Sequence, residues 1–414
     1  MKKAFERVPN ISNELKPVQD NIIRYTNNLN ADVYDKVRFY DFSGKELVSA
    51  DEFKVVYPAS VSADYFNRTG ISESGRYGII TSGGSGGSTG QVYISNNYCR
   101  DWYLAWPRTA TPYDGCAISR NGAVMMVGGY NGRLWISTNY GVSWVERQPA
   151  GAADFDWRAL AADEDGSFLI AGAYGARLWT STDSGASWTE RQPKGAANGN
   201  WYTASVDQIG KNMMVTDYSA RCYVSGNGGV NWTAQTCAGV TNSNWLGCAV
   251  AKNSNTYYVT DRTNLVYKTV DNGANWTAIR PGGSTTDYWR YIYCSNDAAI
   301  VFVTRDYSST CISRDGGATW TTYQVGNDTA SAHIGAMDGQ GIHAFHCVYT
   351  GSVYVYPAAS TLTIVHNTPG VVYADVQFTS TPCDWYVSDQ TAESITLKFD
   401  TRDITGRVRL EWGV

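Results

Sequence analysis

The chain has 414 residues, 43% of them hydrophobic and 17% charged, with a formal net charge of −5. That supply of apolar side chains suits a large folded core and excludes a disordered polyelectrolyte. No element carries a run of Lys or Arg and no apolar run approaches the roughly 20 residues that span a bilayer, so neither a nucleic-acid partner nor membrane insertion is expected.

High Trp, Tyr and Gly counts, 15, 29 and 41, are those of a β-rich protein with many tight turns. The nine cysteines have no CxxC and no paired spacing, and read as small buried residues. "MKKAFERVPNISNELKPVQDN" lacks an apolar signal-peptide region, so synthesis as a soluble cytosolic chain is expected.

Residues 1–54 read as an arm or anchor. Ser12 is an N-cap candidate for a short helix with Leu15, Val18, Ile22 and Ile23 at helical spacing, interrupted by Pro17. "VRFYDF" is a strand candidate within the same arm. Further on, "GGSGG" at 83–87 satisfies the G-x-S-x-G pattern, but it lies between strands and not at a strand-to-helix elbow, so it reads as a loop.

From there the chain repeats itself. "STDSGASWTERQP" at 181–193 is preceded 44 residues earlier by "STNYGVSWVERQP" and followed 44 residues later by "SGNGGVNWTAQTC". Boxes of the form Ser/Thr-x-Asp/Asn-x-Gly-x-x-Trp begin at Ser137, Ser181, Ser225, Thr269 and Ser313. Their acid or amide positions are Asn139, Asp183, Asn227, Asp271 and Asp315, and their tryptophans Trp144, Trp188, Trp232, Trp276 and Trp320. A short acceptor side chain, a glycine free to take positive φ and a packing indole spell a hairpin corner, a structural role. A poorer copy, "SNNYCRDW", begins at Ser95 and puts Cys99 where glycine should stand.

Between boxes, units such as "WRALAAD", "FLIAGAYG", "RLWTSTD" and "SWTERQP" predict four-stranded antiparallel meanders. Meanders at a 40–50-residue period are blades of a β-propeller. After the last box, "SAHIGAMDG", "IHAFHCVYT" and "GSVYVYP" continue the phase without a further box. The expected fold is therefore all-β: a seven-bladed propeller over 55–366, its last blade closed by "TLTIVH" or by an N-terminal strand such as "VRFYDF". Six blades and a leftover hairpin are the alternative. His343 and His346 in "HAFH" fall on opposite faces of a strand, so no metal site is expected. Residues 367–414 alternate in "SITLKF" and "RVRLEW" and predict a small β-sandwich.

Strand parity assigns the turns to two ends. The boxes lie at one end; the links between blades and the second-to-third turns lie at the other. The links carry Trp157, Trp201, Trp245 and Trp289, whose repetition reads as blade-to-blade packing. The turns carry Tyr130, Tyr174 and Tyr218 with Arg133, Arg177 and Arg221, and Tyr307 falls near the equivalent turn. These tyrosines and arginines are the candidate ligand-binding residues, suited to stacking on sugars and bonding carboxylates or hydroxyls.

The boxes resemble the Asp-box, or BNR repeat, of sialidase-like propellers over about three-quarters of the chain. The C-terminal "WYVSDQTAESITLKFDTRDITGRVRLEWGV" resembles modules of phage tail fibres. The resemblance implies a structural virion component of a tailed bacteriophage: a tail, fibre or head-decoration protein present in several copies per particle. Its arm would dock to other virion proteins, and its propeller would face a host-surface glycan or a neighbouring chain. An intracellular assembly or scaffold propeller is the alternative, and a sialidase-like glycoside hydrolase comes third. No catalytic residue and no cofactor are expected. No Glu occurs between Glu190 and Glu393, Glu146 and Glu190 repeat in "ERQP", and Arg158, Arg262 and Arg290 carry no motif that marks them as a triad.

Overall fold

A computed structural model describes residues 66–356 apart from short segments at 84–89, 100–101, 110–111, 253, 263–264, 284–287, 307–308, 325–332, 342–343 and 349–352. It also describes the strand Lys54–Val56 and strands between Ser360 and Trp412. The helix and the "VRFYDF" strand expected in the arm lie outside these residues, as does Tyr307. Contacts divide the chain into a unit of residues 53–355 and a second that includes 356–414.

The first unit is a succession of antiparallel meanders. The strands Phe66–Ile71, Gly78–Ser82, Gly90–Ser95 and Tyr103–Thr109 form one blade, and Tyr113–Ile118, Met125–Gly129, Leu134–Ser137 and Val145–Arg147 the next. The pattern recurs at 156–191, 199–234, 245–279 and 289–324. The 156–191 and 199–234 blades share one sheet, because Tyr174 pairs with Asn200 and Ala176 with Gly199 at the link end. His333–Met337, Ala344–Val348 and Val353–Tyr356 follow, and Lys54–Val56 pairs with Val353–Val355 as their outer strand.

Of the two expected closures, "TLTIVH" or an N-terminal strand such as "VRFYDF", the strand found beside Val353–Val355 is an N-terminal one, Lys54–Val56. Ser360–Val365 pairs instead with Ser394–Phe399, in a register that sets Leu362 opposite Leu397 and Ile364 opposite Ile395. Alternating strands are matched by their apolar phase, and the matching partner lies downstream. The second unit also holds Trp385–Gln390 beside Ser394–Phe399, and a separate pair, Val372–Phe378 with Gly406–Trp412.

Each link tryptophan fills an interblade seam. Trp157, Trp201, Trp245 and Trp289 are fully buried. A Cβ added to Gly128 would stand 2.4 Å from the Cβ of Trp157, and one added to Gly172 would stand 2.9 Å from that of Trp201. The glycine of one blade thus leaves room for the Cβ of the tryptophan in the next, as close packing requires. The 66–109 blade packs on the 333–356 strands through Phe66, Ile80 and Trp102 against Ile334, Phe345 and Cys347.

The boxes share one hydrogen-bond plan, except that the Trp276 indole donates to Gln235 Oε1 at 2.9 Å and not to its own box glycine. In the 181–188 box, Asp183 Oδ1 accepts from Ser181 Oγ at 2.8 Å and from the Ser187 amide at 2.8 Å. Ser181 Oγ accepts from the Gly185 amide at 2.8 Å, and Trp188 Nε1 donates to the Gly185 carbonyl at 3.1 Å. The residue after the acid and the glycine are both left-handed: Ser184 at φ 55 and Gly185 at φ 84. At 95–102, Cys99 takes φ 62 in the glycine position, its amide still bonding Ser95 Oγ at 3.0 Å. Its side chain joins the seam with Phe345 and Cys347.

A recessed arginine–tyrosine cluster at the link end

The innermost strands begin at the link end with a recurring irregularity. Their register with the neighbouring strand slips between Tyr113 and Gly115, Trp157 and Ala159, Trp201 and Ala204, Trp245 and Cys248, and Trp289 and Ile292. A bulge leaves a residue unpaired and re-aims its side chain. The residue after each aromatic, at 44-residue spacing, is Asp114, Arg158, Tyr202, Leu246 and Arg290. The backbone irregularity repeats while the side chains differ, giving a constellation that is not a blade-by-blade repetition.

These residues meet Arg68, from the same end of the first innermost strand. Asp114 lies 3.6 Å from Arg68 and 2.9 Å from Arg158, which also bonds Asp156 at 2.7 Å. The Arg68 guanidinium stands over the rings of Tyr202 at 5.0 Å and Tyr291 at 5.3 Å, and that of Arg158 over Tyr174 at 4.5 Å. Arg290 bonds Asp306, which Arg262 approaches at 3.5 Å. Burial opposes the charge on Arg68, but Tyr291 and Asp114 outweigh it and hold the guanidinium protonated. Burial raises Asp156 against the pull of Arg158, and pushes the Tyr291 phenol well up despite Arg68.

Hydrogen-bonding capacity remains unused here. Arg68 is 8% exposed, yet its Nε and Nη2 make no hydrogen bond, nor do Asp156 Oδ1 and Tyr291 Oη. Arg68, Arg158 and Tyr291 line a cavity of about 210 Å³ together with small or apolar residues such as Cys116, Leu160, Ala204, Cys248 and Ile292. Buried polar groups of this kind are normally satisfied. Arg68 and Tyr291 bring such groups to the cavity wall, and Asp156 stands outside its lining.

The box end of the same cavity is locked. Backbone bonds hand on from turn to turn: Glu73 N to Arg120 O at 2.7 Å, Arg120 N to Asp163 O at 3.2 Å, Glu164 N to Gln208 O at 3.2 Å, and Asn296 N to Gly339 O at 2.7 Å. Across them, Lys252 Nζ reaches both Glu73 and Glu164 at 2.9 Å, and Arg120 bonds Asn296 at 2.9 Å.

The structure separates the expected site residues. Tyr174 and Tyr218 join the cluster, Tyr218 through its ring 5.6 Å from Tyr202. Tyr130 is 42% exposed and has no described contact with the cluster. Arg133 and Arg177 turn toward their own link loops: Arg133 bonds Asp154 at 2.9 Å, and Arg177 bonds the carbonyls of Gly195 and Ala197 at 3.2 and 3.0 Å. Arg221 is half-buried beside its own turn, where its carbonyl accepts from Asp217 N at 2.9 Å. Sequence reasoning passed over Arg68, Asp114, Asp156, Tyr202 and Tyr291. The available signal was variation: the position after the link aromatic changes in successive repeats while its neighbour stays aromatic.

No family model and no curated protein matches the chain. Among solved structures it is similar to YCF48 bound to D1 peptide, at 12% identity and a TM-score of 0.58, covering 75% of this chain and 97% of that one. It is likewise similar to YCF48 from Cyanidioschyzon merolae, at 12% identity and a TM-score of 0.55, covering 73% and 98%. Together with the successive four-stranded blades, this likeness defines the chain as an all-β protein built on a β-propeller. At that identity the likeness is one of fold alone.

Proposed function

We propose that the chain is a non-catalytic binding platform: a seven-bladed Asp-box propeller with a small C-terminal β-sandwich, serving as a structural appendage of a tailed-phage virion. In this reading the seventh blade is 333–356 completed by Lys54–Val56. The arm docks to other virion proteins, and the link end engages a neighbouring protein or the host surface.

The observation that carries the reading is the set of unused donors and acceptor around Arg68, Asp156 and Tyr291 at the link end, set against a box end bridged from blade to blade by backbone hydrogen bonds and by Lys252. A cavity of about 210 Å³ is smaller than the ~300 Å³ at which ligand pockets usually start. It suits one side chain or one terminal group of a larger partner. A solved propeller of similar fold is described as bound to a peptide, and a protein segment presenting a polar group over an apolar throat fits this cluster in the same manner. Exposed tyrosines such as Tyr130 would then contact the rest of the partner, and several copies per particle would supply avidity to a weak single site.

Catalysis is not part of this reading. A sialidase-type nucleophile would be Tyr291, but burial raises its phenol and no carboxylate hydrogen-bonds it. Glu73 and Glu164 stand at the other end, held by Lys252.

The test is made on phage particles assembled with the wild type or with the Arg158→Ala/Arg290→Ala double variant. Normal incorporation with at least tenfold slower adsorption, or tenfold weaker capture of the neighbouring virion protein, is expected. Absence of the protein from particles would overturn the virion assignment and favour a scaffold of the kind the peptide-bound neighbour suggests. Unchanged binding would remove the cluster from the interface.

A further inference from the structure

One blade departs from the repeat at two positions that touch. Cys222, at the start of Cys222–Ser225, occupies the position held by Leu134, Leu178 and Val266 in other blades, all fully buried apolar residues. Cys237 occupies the position held by Pro149, Pro193 and Pro281. In the 199–234 blade and the link that follows it both become cysteine, and their sulfurs stand 3.4 Å apart with both residues at 0% exposure. Paired replacement at contacting positions, where three sister blades carry apolar residues and Thr310 alone is polar, distinguishes this pair from a cysteine used merely as a small hydrophobe.

The geometry points to Cys222 and Cys237 as an oxidative cross-link site that closes to a disulfide when the folded protein meets a disulfide oxidant. The sulfurs need approach by only about 1.4 Å to reach the ~2.05 Å bond length. The surrounding backbone is suited to hold them: Gln235 N donates to the Cys222 carbonyl at 2.9 Å, and Cys237 and Val240 exchange hydrogen bonds at 2.8 and 3.0 Å. Access comes through the outer strand Thr233–Ala234, two exposed residues long, which covers the pair's edge of the sheet. Short edge strands open at little cost.

The reaction is thiol–disulfide exchange. One cysteine loses its proton and its thiolate attacks a sulfur of oxidised glutathione, displacing one glutathione thiolate. The other cysteine, deprotonated in turn, attacks the protein sulfur of that mixed disulfide and releases the second glutathione. The cysteine pair is oxidised by two electrons and the glutathione disulfide is reduced to two thiols. Burial raises the Cys222 thiol well above its ordinary value, so the exchange is slow in the closed blade and quickens with rising pH. The product closes a short loop in the blade and restricts the unfolded chain.

The experiment uses the full chain, incubated with oxidised glutathione and then alkylated in denaturant. Peptide mapping by mass spectrometry is expected to find Cys222 joined to Cys237 with loss of two hydrogens. The melting temperature is expected to rise by about 4–8 °C, reversibly with dithiothreitol. Cys222→Leu, which installs the residue of the sister blades, should fold and show neither change; if it does not fold, Cys237→Ala serves as the control. Two free thiols at these positions after prolonged oxidation would overturn the inference, as would a cross-link from Cys222 to Cys248, the third cysteine of the same apolar cluster.

Discussion

The two ends of the central cavity are made from the same repeat and solve opposite problems. At the box end, the first-to-second turns pass backbone hydrogen bonds from blade to blade, and Lys252 joins Glu73 to Glu164 across them. At the link end, a bulge repeats in the innermost strands while the residue it presents changes, and polar atoms of Arg68, Asp156 and Tyr291 are left without hydrogen bonds. Repetition of a side chain marks what holds the blades. Repetition of a backbone irregularity with changing side chains marks the end at which the blades differ, and it is there that the proposed recognition is placed.

The largest effect should come from breaking the repeated part. Trp201→Ala removes an indole 1% exposed from a seam with Ile170, Leu178 and Val215, and should cost about 3–5 kcal/mol in denaturant unfolding. Partner binding per folded molecule should be unchanged; a binding loss without a stability loss would reverse the assignment of the two ends. Next in size is Lys252→Met, which leaves two carboxylates facing each other at the locked end. A loss of about 2 kcal/mol in urea unfolding at neutral pH is expected, and an unaltered midpoint would mean that the backbone ring alone closes that end.

At the link end the balance should invert. Tyr202→Phe and Tyr291→Phe keep the rings over Arg68 and remove only hydroxyls, so stability should change by less than about 1 kcal/mol. Partner affinity should fall severalfold for Tyr291→Phe, whose hydroxyl lacks an internal hydrogen bond. Equal affinity in competition binding would show that this hydroxyl takes no part.

The smallest effect belongs to the boxes in acid. Asp183, Asp271 and Asp315 are held at about 2 against an ordinary 3.8, chiefly by hydroxyls of Ser187, Thr269 and Thr319 respectively. Their folded values lie below their unfolded ones, so the stabilisation is present above about pH 4 and is lost as the pH falls toward about 2. The triple Asp→Asn variant at these positions copies Asn139 and Asn227, which fill the same role in two boxes. Its melting temperature should decline less than that of the wild type over this interval. Parallel melting curves would place the acid sensitivity elsewhere.

The propeller was legible because its grammar is local. Box, period and alternation are all set by residues within one blade, and the five regular boxes form the corners their spelling implies. Closure was not legible in the same way. "TLTIV" and Lys54–Val56 are both short β-branched segments, and only register with a distant partner distinguishes them. The arginine–tyrosine cluster was half visible. Tyr174 and Tyr218 announce themselves as turn aromatics, while Arg133 and Arg177 looked equivalent to them yet are absorbed by their link loops. Arg68 and Tyr291 lie more than 200 positions apart and are brought together only by ring closure, which no local pattern encodes.

Joining Lys54–Val56 to Val353–Val355 makes the last pairing of the ring one between segments about 300 residues apart. On the ribosome, at about 5–20 residues per second, the blade at 66–109 is synthesised well before its partner. Until residues 333–348 emerge, Phe66, Ile80 and Trp102 lack the Ile334, Phe345 and Cys347 that cover them in the finished protein. A nascent chain therefore carries an uncovered apolar seam at its leading edge for many seconds. The yield of correctly folded molecules is governed there by a race between closure and self-association.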